Sequence, residues 1–436
     1  MSSLDSRKTV RLDGSTLEGG GQVLRVTLAL SSLTRIPVHV TKIRGNRPGG
    51  GGLKWQHLTG VTWLGKACGA RLVGAARGSR ELEFEPSVIG TAPPGPNPQE
   101  EETQWYKDVP LARGGFMRHI SIEQETPGSI GLVFQAVLPF LLFSGSTASV
   151  AGSNGPAQIK LTIRGGTNVS FSPSYEYIVQ VLLPTLEKIG IPPISASMDS
   201  RGWTHGQATV GSVDFLITPL ERGTNLAPFE LHDRGIVESI QVTIIAPNNA
   251  RRQIRKDVLA SLDDAFPGVE TQVVLDEDSR RPKRLYLLLV AETETGHRLG
   301  RDYLYDEKIK DLEVAGSKLV KRVVRELISE LKRPDDENRE STNCLDEYMQ
   351  DQLVIFQALA KGRSLVDEGN GVGGLKGYSR PSLHTRTARW VATQILGIDF
   401  DGKGNCEGVG LVAGEDYSLR GSPEDVLADQ VQKLEV

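Results

Sequence analysis

Three stretches of the chain share a local pattern in which an apolar strand ends at an Arg-Gly pair, and two of them follow a predicted helix. Helices and strands that alternate in this way predict a repeated α+β unit with helices layered on sheets. Since equivalent strands end at equivalent places, the unit would carry its arginines toward one common face. The pairs are Arg44-Gly45 after residues 38–43, Arg164-Gly165 after residues 159–163, and Arg201-Gly202 after residues 191–198.

Length and composition narrow the class of protein. A chain of 436 residues is too long for one compact core, so at least two domains are expected. The apolar fraction of 38% and the charged fraction of 24% are typical of a soluble globular protein. A net charge of −4 gives no global field that would attract nucleic acid, so any RNA contact must come from a local patch.

The cysteines and the apolar runs indicate which cellular compartment to expect for this protein. Three cysteines lack the spacing of a metal site or a disulfide framework, which predicts a reducing, intracellular compartment and no disulfide-linked partner. The opening sequence MSSLDSRKTV has no apolar core of a signal peptide. The longest apolar run, residues 130–143, is too short for a membrane span and suits a buried helix, so no membrane contact is expected.

Residues 11–58 carry the first functional signal. Three glycines, Gly19 to Gly21, precede an apolar run with helical spacing, and a second glycine run follows at residues 49–52. A glycine turn before a helix can bind an anion through its backbone N–H groups. Together with the nearby charges it suggests a polyphosphate and its metal, and a tight turn with surface arginines is the alternative. The polar side chains of the stretch are Glu18, Arg25, Arg44, Arg47, Gln56 and His57.

A histidine near the other end of the chain carries the second signal. His384 ends an extended segment, and Thr385 or Thr387 can cap the helix that follows. The positive end of a helix dipole would keep the imidazole neutral, and a neutral imidazole can attack phosphorus to give a covalent intermediate. An ordinary surface histidine is the alternative, and that is the interpretation for His39, His119, His232 and His297.

Several local features lead to further expectations. Asn343 can cap a helix with Asp346 at its third position, which places Tyr348, Asp351 and Ile355 on one face. Residues 93–108 are rich in Pro and Glu and predict a surface loop, and residues 331–340 predict a charged linker. The basic helix face at residues 251–256 is interpreted as solvated, with RNA contact as the alternative. The glycines of residues 369–374 fit GxGxxG but lack the strand and acidic residue of a dinucleotide site, so we expect a loop.

Six motifs in this order resemble the RNA 3′-terminal phosphate cyclase family: DGSTLEGGGQVLR, KIRGNR, QHLTGV, RGGTN, DEYMQDQL and LHTRTA. The resemblance covers residues 13 to about 400 and implies an α+β fold. Its large domain would consist of repeated βαβαββ-type units, related to the enolpyruvate transferases, with a smaller α/β domain inserted. On this chain the large domain would comprise residues 1–220 and 336–436, and the insert residues 221–335, near a shift in composition at Pro219.

The resemblance also implies a reaction. The family converts an RNA 3′-phosphate into a 2′,3′-cyclic phosphate with ATP, through AMP attached to a histidine, and releases AMP and pyrophosphate. The expected partners are therefore RNA with a 3′-phosphate end, ATP, and Mg²⁺ or Mn²⁺, in the nucleus rather than the cytoplasm if the source is eukaryotic. A non-catalytic ribosome-assembly relative that lacks the histidine is the alternative, and enolpyruvate transfer is a third reading by fold analogy alone.

Residue by residue, the resemblance implies His384 as the adenylylated nucleophile and Glu18 as the ligand of the metal. Arg25, Arg44, Arg47 and Gln56 would surround the phosphates. Tyr348 and Pro173 would sandwich the adenine, and Asp351 would orient the histidine ring. Gln135 and His57 match more weakly. Two departures are a glycine turn at residues 48–52 that is one residue longer and Trp203-Thr204-His205-Gly206-Gln207, where the family has Tyr-Pro-x-Gly-Gly-Gly.

Overall fold

The computed structural model describes most of the chain. Two sequence expectations fall outside its described parts, namely most of the Pro/Glu-rich stretch and the glycine-rich residues 369–374. The described residues are 8–47, 49–87, 106–112, 115–124, 126–146, 156–204, 208–333, 336–340, 343–367 and 381–417.

The first unit is a four-stranded sheet covered by two helices. Its strand order is β1-β2-β4-β3, in which β1 and β2 are parallel and the other neighbours are antiparallel. Alternate residues of β2 and β4 are buried, as a sheet with one covered face requires. The elements are β1 (Val10–Asp13), α1 (Gly21–Thr34), β2 (Val38–Thr41), α2 (Trp55–Ala67), β3 (Arg71–Val73) and β4 (Leu82–Glu85).

The second unit repeats this topology with one extra strand, in the order β5-β6-β7-β9-β8. Its last four strands have the same arrangement as the first sheet, with β6 and β7 parallel. α4 continues through a π-helical turn (Ile178–Leu182) into α5. The elements are β5 (Tyr106–Pro110), β6 (Phe116–Glu123), α3 (Ile130–Leu142), β7 (Gln158–Gly165), α4 (Tyr175–Tyr177), α5 (Leu183–Lys188), β8 (Ser195–Ser200) and β9 (Gly211–Ile217).

The predicted surface loop is wrong at its C-terminal end, because residues 106–108 belong to strand β5. The Arg118 guanidinium lies 3.9 Å from the centroid of the Tyr106 ring and pairs with Asp108 at 2.9 Å. These contacts hold the end of the Pro/Glu-rich stretch against β6, which its composition alone does not reveal.

Residues 237–331 form a third sheet with its own apolar core. Its strand order is β12-β11-β13-β14, and α6 and α7 pack together against it. The segment follows β10 (Glu230–Leu231) and precedes β17 (Lys361–Val366), the parallel partner of β10. Residues 237–331 therefore interrupt another sheet. The elements are β11 (Val237–Ala246), α6 (Asn248–Ala265), β12 (Glu270–Asp278), β13 (Tyr286–Thr293), β14 (Arg298–Leu304) and α7 (Leu312–Leu331).

Apolar spacing in the sequence predicts a strand over residues 237–246 and a long helix over residues 312–331. Strand β11 and helix α7 have these bounds, whereas the sequence analysis missed β14. Gly300, Arg301 and Asp302 break the apolar alternation of β14 because that part of the strand faces the rest of the protein. On the basic face of α6, Arg251 and Arg255 both pair with Asp276, at 3.0 and 3.7 Å.

The last part of the chain corrects two predictions. The predicted linker contains two strands that pair antiparallel, β15 (Lys332–Arg333) and β16 (Asp336–Glu340). Backbone hydrogen bonds between strands do not require an apolar sequence pattern. Helix α8 (Glu347–Leu359) begins after Asp346, whose side chain caps it by accepting from two backbone N–H groups. Asn343, the predicted cap, donates to Glu330 at 3.0 Å instead.

The final elements are β17 (Lys361–Val366), α9 (Leu383–Leu396) and β18 (Cys406–Val409). Helix α1 packs against α2, α3 and α9, and α8 packs against α9 and α3. This packing brings the first glycine turn and the His384 helix together. Within the part of the chain that the structure describes, no helix is both long and apolar enough to cross a membrane. The broad α+β class is observed, while the enolpyruvate-transferase relationship and the boundaries 221–335 stay predictions.

Candidate active site

The glycine turn before α1 holds the Glu18 carboxylate in place. Glu18 Oε2 accepts a hydrogen bond from the Gly20 N–H at 2.7 Å, and Oε1 is paired with Arg47. A Cβ atom on Gly20 would lie 2.1 Å from Glu18 Oε1, so no larger residue fits there without moving the carboxylate. Gly19 has a φ of +58°, a conformation that favours glycine. The sequence thus forms a rigid turn with a carboxylate inside it.

The arginines of this region surround the turn at different depths. Arg44 is largely buried and donates to the Gly52 carbonyl at 3.1 Å, and desolvation lowers its pKa. Arg25 projects from the first turns of α1, and desolvation lowers its pKa to about 10 although nearby Asp351 opposes this. A pKa of about 10 keeps Arg25 cationic at neutral pH, so it provides positive charge beside the turn.

His57 is a buried, neutral imidazole beside the same turn. Desolvation, with contributions from Arg25, Arg44 and Lys54, lowers its pKa to about 3. Nδ1 accepts a hydrogen bond from the Lys54 N–H at 3.1 Å, so the ring proton lies on Nε2. Nε2 lies 2.7 Å from the position of a Cβ atom built on Gly21. The Nε2–H group is therefore a hydrogen-bond donor next to the start of α1. The neighbouring Gln56 packs with its Cβ against the turn before α3.

His384 is the second residue of α9, whereas the sequence predicted it just before the start of the helix. Ser382 caps this helix by accepting from the Thr385 N–H at 3.1 Å, whereas Thr385 and Thr387, the predicted caps, lie within it. Ser382, Thr385 and Thr387 all carry a hydroxyl group that can cap a helix, and the backbone geometry selects Ser382. Thr387 has another contact, for its Oγ1 accepts from the Glu18 N–H at 3.2 Å.

The pKa of His384 is lowered from its ordinary value of 6.5. Desolvation is the first cause, rather than the helix dipole that the sequence suggested. Arg25 and Arg47 lower the pKa further, while Asp351 and Glu347 raise it. The direction agrees with a neutral imidazole at physiological pH, which has a free lone pair for attack on an electrophile.

Asp351 is buried on α8 and belongs to a hydrogen-bond chain. Its Oδ2 accepts from Gln22 at 2.7 Å and from Gln352 at 2.9 Å, and Gln22 accepts from Arg25. Desolvation raises the pKa of Asp351, and His384 and Arg25 oppose that effect. The sequence missed Gln22 and Gln352. A polar residue three positions before Arg25 on an apolar helix was the available signal for Gln22.

A cavity of about 250 Å³ adjoins these groups. The Nε2 atom of Gln135 is buried there without a hydrogen-bond partner among the described residues, so it can donate to a ligand. Four other predicted residues lie outside the cavity lining, namely Glu18, Arg44, Arg47 and Gln56. Arg25 lines the cavity and also reaches the glycine turn, since its Nη1 atom is 3.1 Å from the position of a Cβ atom built on Gly21. The predicted residues that line the cavity are Arg25, Gln135, Pro173, Tyr348, Asp351 and His384.

Part of the cavity wall comes from residues 286–322, which the sequence did not connect with the site. Helix α7 contributes Arg322, whose guanidinium lies 3.6 Å from the centroid of the Tyr303 ring. No motif indicates these residues, since their place in the cavity depends on how the third sheet packs against the second unit. They are Tyr286, Asp302, Tyr303, Leu304, Asp306 and Arg322.

The donor set limits how a metal could be held. Among the described residues, no group of three or more His, Cys, Asp or Glu side chains could hold a metal ion. Glu18 provides a single carboxylate whose side chain is 5% exposed. One carboxylate together with phosphate oxygens is a set that Mg²⁺ accepts, because it keeps several waters and binds through few protein ligands. The residues therefore fit a metal that arrives with a polyphosphate.

Comparison with known proteins agrees with the six motifs. The family model described as RNA 3′-terminal phosphate cyclase matches residues 16–401. The chain is 31% identical to the RNA 3′-terminal phosphate cyclase of Drosophila melanogaster, over 91% of this chain and 94% of that protein. It is 30% identical to the one of Pyrococcus furiosus, over 90% and 95%, and 32% identical to the one of Thermococcus kodakarensis, over 91% and 95%. The chain therefore belongs to the RNA 3′-terminal phosphate cyclase family.

Proposed function

We propose that this enzyme converts an RNA 3′-phosphate end into a 2′,3′-cyclic phosphate with ATP, through an AMP group bound covalently to His384. The observation that carries the proposal is the position of His384. The ring lies in a helix turn that is bonded through Thr387 to the Glu18 turn, and it lines a cavity with Tyr348 and Pro173. A nucleophile, a candidate phosphate turn and a candidate base pocket therefore adjoin one another.

The first chemical step would join a nitrogen of His384 to the α-phosphorus of ATP. The P–N bond forms, the bond from the α-phosphorus to the bridging oxygen breaks, and pyrophosphate leaves with that oxygen. Burial of the surroundings keeps the imidazole neutral, so no proton has to be removed before attack. The second step transfers AMP to an oxygen of the RNA 3′-phosphate and returns the electron pair to the imidazole.

The last step would close the ring on RNA. The 2′-hydroxyl oxygen attacks the activated phosphorus, its proton is lost, and AMP leaves with the oxygen that linked the two phosphorus atoms. AMP is a better leaving group than a phosphate monoester oxygen, which is why adenylylation divides one hard reaction into easier ones.

The charges around the turn would stabilise the polyphosphate. Arg25, Arg44 and Arg47 would bind the phosphates, since a guanidinium group can bind two phosphate oxygens at once. Arg47 is already paired with Glu18, so the pair would rearrange or share its partner when a nucleotide binds. Glu18 would hold Mg²⁺, or Mn²⁺, which neutralises charge on the phosphates.

Tyr348 and Pro173 would bind the adenine by stacking. The Arg301 guanidinium lies 4.5 Å from the centroid of the Tyr348 ring, and the Tyr177 ring packs edge-on with its centroid 6.0 Å away. Its 38% exposure leaves ring surface for a base in the cavity. Stacking on one such face contributes about 1–3 kcal/mol per base in proteins that bind nucleic acid.

The experiment is to incubate the protein with Mg²⁺ and α-labelled ATP and then to denature it. Wild type should retain an acid-labile label and should cyclise RNA with a 3′-phosphate end, whereas His384→Ala should do neither while keeping its circular dichroism spectrum. His232→Ala is the matched control, because that exposed histidine pairs with the exposed Glu230 at 3.6 Å and lies outside the cavity lining. Label on the His384→Ala variant would show that His384 is not the nucleophile.

Absence of label on the wild-type protein would favour the alternative, a non-catalytic scaffold in ribosomal RNA processing. Intracellular residence, in the nucleus if the source is eukaryotic, remains a prediction that imaging of the tagged protein would test.

A further inference from the structure

Two successive residues of strand β14 contact the surroundings of Tyr348 and Pro173, the residues proposed to sandwich the base. Successive residues of a strand point to opposite sides, and here both sides are occupied. The Arg301 guanidinium lies 4.5 Å from the centroid of the Tyr348 ring. The next residue, Asp302, accepts a hydrogen bond at 2.8 Å from the hydroxyl of Ser174, which directly follows Pro173. Asp302 therefore lies in the cavity wall next to the Pro173-Ser174 segment, and its neighbour Arg301 contacts Tyr348.

The two oxygens of Asp302 have different environments. Oδ2 accepts from both the Ser174 hydroxyl and the Tyr286 hydroxyl, at 2.8 and 2.9 Å. Oδ1 accepts no hydrogen bond from any residue that the structure describes, and the side chain lines the cavity. One oxygen thus fixes the orientation of the carboxyl group, and the other remains as an acceptor for a ligand.

The negative charge of the Asp302 carboxylate favours its role as a hydrogen-bond acceptor. Desolvation raises its pKa to about 6, against the hydrogen bonds from Ser174 and Tyr286 and the charge of Arg301, which lower it. Most molecules therefore carry the carboxylate at neutral pH. A partly buried carboxylate oxygen without a donor is costly, so a ligand that provides an N–H group gains more there than one that does not.

We propose that Asp302 recognises the base, with Oδ1 accepting a hydrogen bond from the exocyclic amino group of adenine. Asp302 would then be a specificity residue that the inserted segment contributes to the nucleotide site of the rest of the chain. This inference rests on the proposed function, since it takes the cavity to be the adenosine pocket. A nucleotide without the amino group would leave the carboxylate unpaired, which is how sites built for a donor discriminate strongly.

Two other roles must be separated from this one. Asp302 could merely hold Ser174 and Tyr286 in place, in which case its loss would weaken binding of every nucleotide by the same factor. Asp306 also lines the cavity and accepts from Tyr303, so it is the competing carboxylate for the amino group.

The experiment measures equilibrium binding of AMP and of purine riboside 5′-monophosphate, which has hydrogen in place of the amino group. Neither has a pyrophosphate to lose, so no adenylylation occurs. Wild type should bind AMP about tenfold more tightly, or about 1.4 kcal/mol. Asp302→Ala should bind the two with equal affinity, and Asp302→Asn, which keeps the shape and is neutral, should show a reduced ratio. Asp306→Asn and Glu307→Gln, the latter outside the cavity lining, should keep the wild-type ratio.

Equal affinities in wild type, or an unchanged ratio in both Asp302 variants, would overturn the inference. Loss of the ratio in Asp306→Asn alone would assign recognition to Asp306 and overturn it as well. Because binding is measured without chemistry, label on His384 together with an unchanged ratio would leave the proposed function standing. A normal ratio without label would instead overturn only the proposed function.

Discussion

The backbone N–H of Glu18 donates a hydrogen bond to the side-chain oxygen of Thr387 at 3.2 Å, across 369 positions of sequence. Thr387 Oγ1 also donates to the Leu383 carbonyl at 2.6 Å within the first turn of α9. His384 lies in this same turn. One buried hydroxyl thus joins the carboxylate turn to the helix that carries the proposed nucleophile.

Replacing Thr387 with Val should loosen this connection. The variant keeps the shape but leaves the Glu18 N–H without its acceptor, so the free energy of unfolding should fall by about 1 kcal/mol. Labelling by ATP should slow as well, because the turn and His384 lose their fixed relation. Urea denaturation and the initial labelling rate measure the two effects. Thr387→Ser retains the hydroxyl and should resemble wild type, and a Val variant with unchanged values of both would refute the coupling.

Gly20→Ala should displace the Glu18 carboxylate, since the added Cβ would lie 2.1 Å from Oε1. We expect the Mg²⁺ concentration for half-maximal labelling to rise about tenfold, a loss of about 1.4 kcal/mol in metal binding. Gly402→Ala is the matched control, because a Cβ there meets nothing within 4 Å. An unaltered Mg²⁺ requirement in Gly20→Ala would argue that Glu18 does not hold the metal.

The pH dependence of labelling should follow the neutral form of His384. Its pKa lies below 6.5, so the rate should be constant from neutral pH upward and fall only in more acidic solution, where the ring gains a proton. Asp351 raises that pKa, and Asp351→Asn removes the anion that favours the imidazolium. The acid limb of the profile should therefore move to lower pH in the variant. Initial rates between pH 5 and pH 8 test this, and a shift toward higher pH would contradict the assigned charges.

Arg301 should stabilise the contact between the inserted segment and α8. It is buried, pairs with Glu330, and lies 3.0 Å from Glu347. Arg301→Met should cost about 3–5 kcal/mol in the free energy of unfolding, because the buried Glu330 carboxylate loses its cationic partner. The double variant Arg301→Met/Glu330→Gln should recover part of that loss.

Urea denaturation provides the measurement for this pair. Arg363→Met is the control, since Arg363 forms an exposed pair with Asp401 at 2.7 Å and exposed pairs contribute about 0–1 kcal/mol. Equal losses in Arg301→Met and Arg363→Met would show that burial adds nothing to the Arg301 pair.

Local patterns predicted the elements well where they are periodic and self-contained. Helix α7 and strand β11 have the predicted bounds because their apolar spacing appears in the sequence without reference to partners. The prediction failed at β14 and at the cap of α8. In both places polar residues face other parts of the chain, so their local pattern resembles that of a loop or an ordinary helix start.

The sequence by itself determined the family, the glycine turn with its carboxylate, and the chemical types of the proposed site residues, since these are properties of short motifs. Only the tertiary structure decided which of them adjoin one another. Gln22 and Asp351 are bonded at 2.7 Å although 329 positions separate them, and Asp302 reaches the cavity from a different sheet. The physical reason is that distances between remote residues follow from how helices and sheets pack, and packing depends on all the contacting surfaces at once.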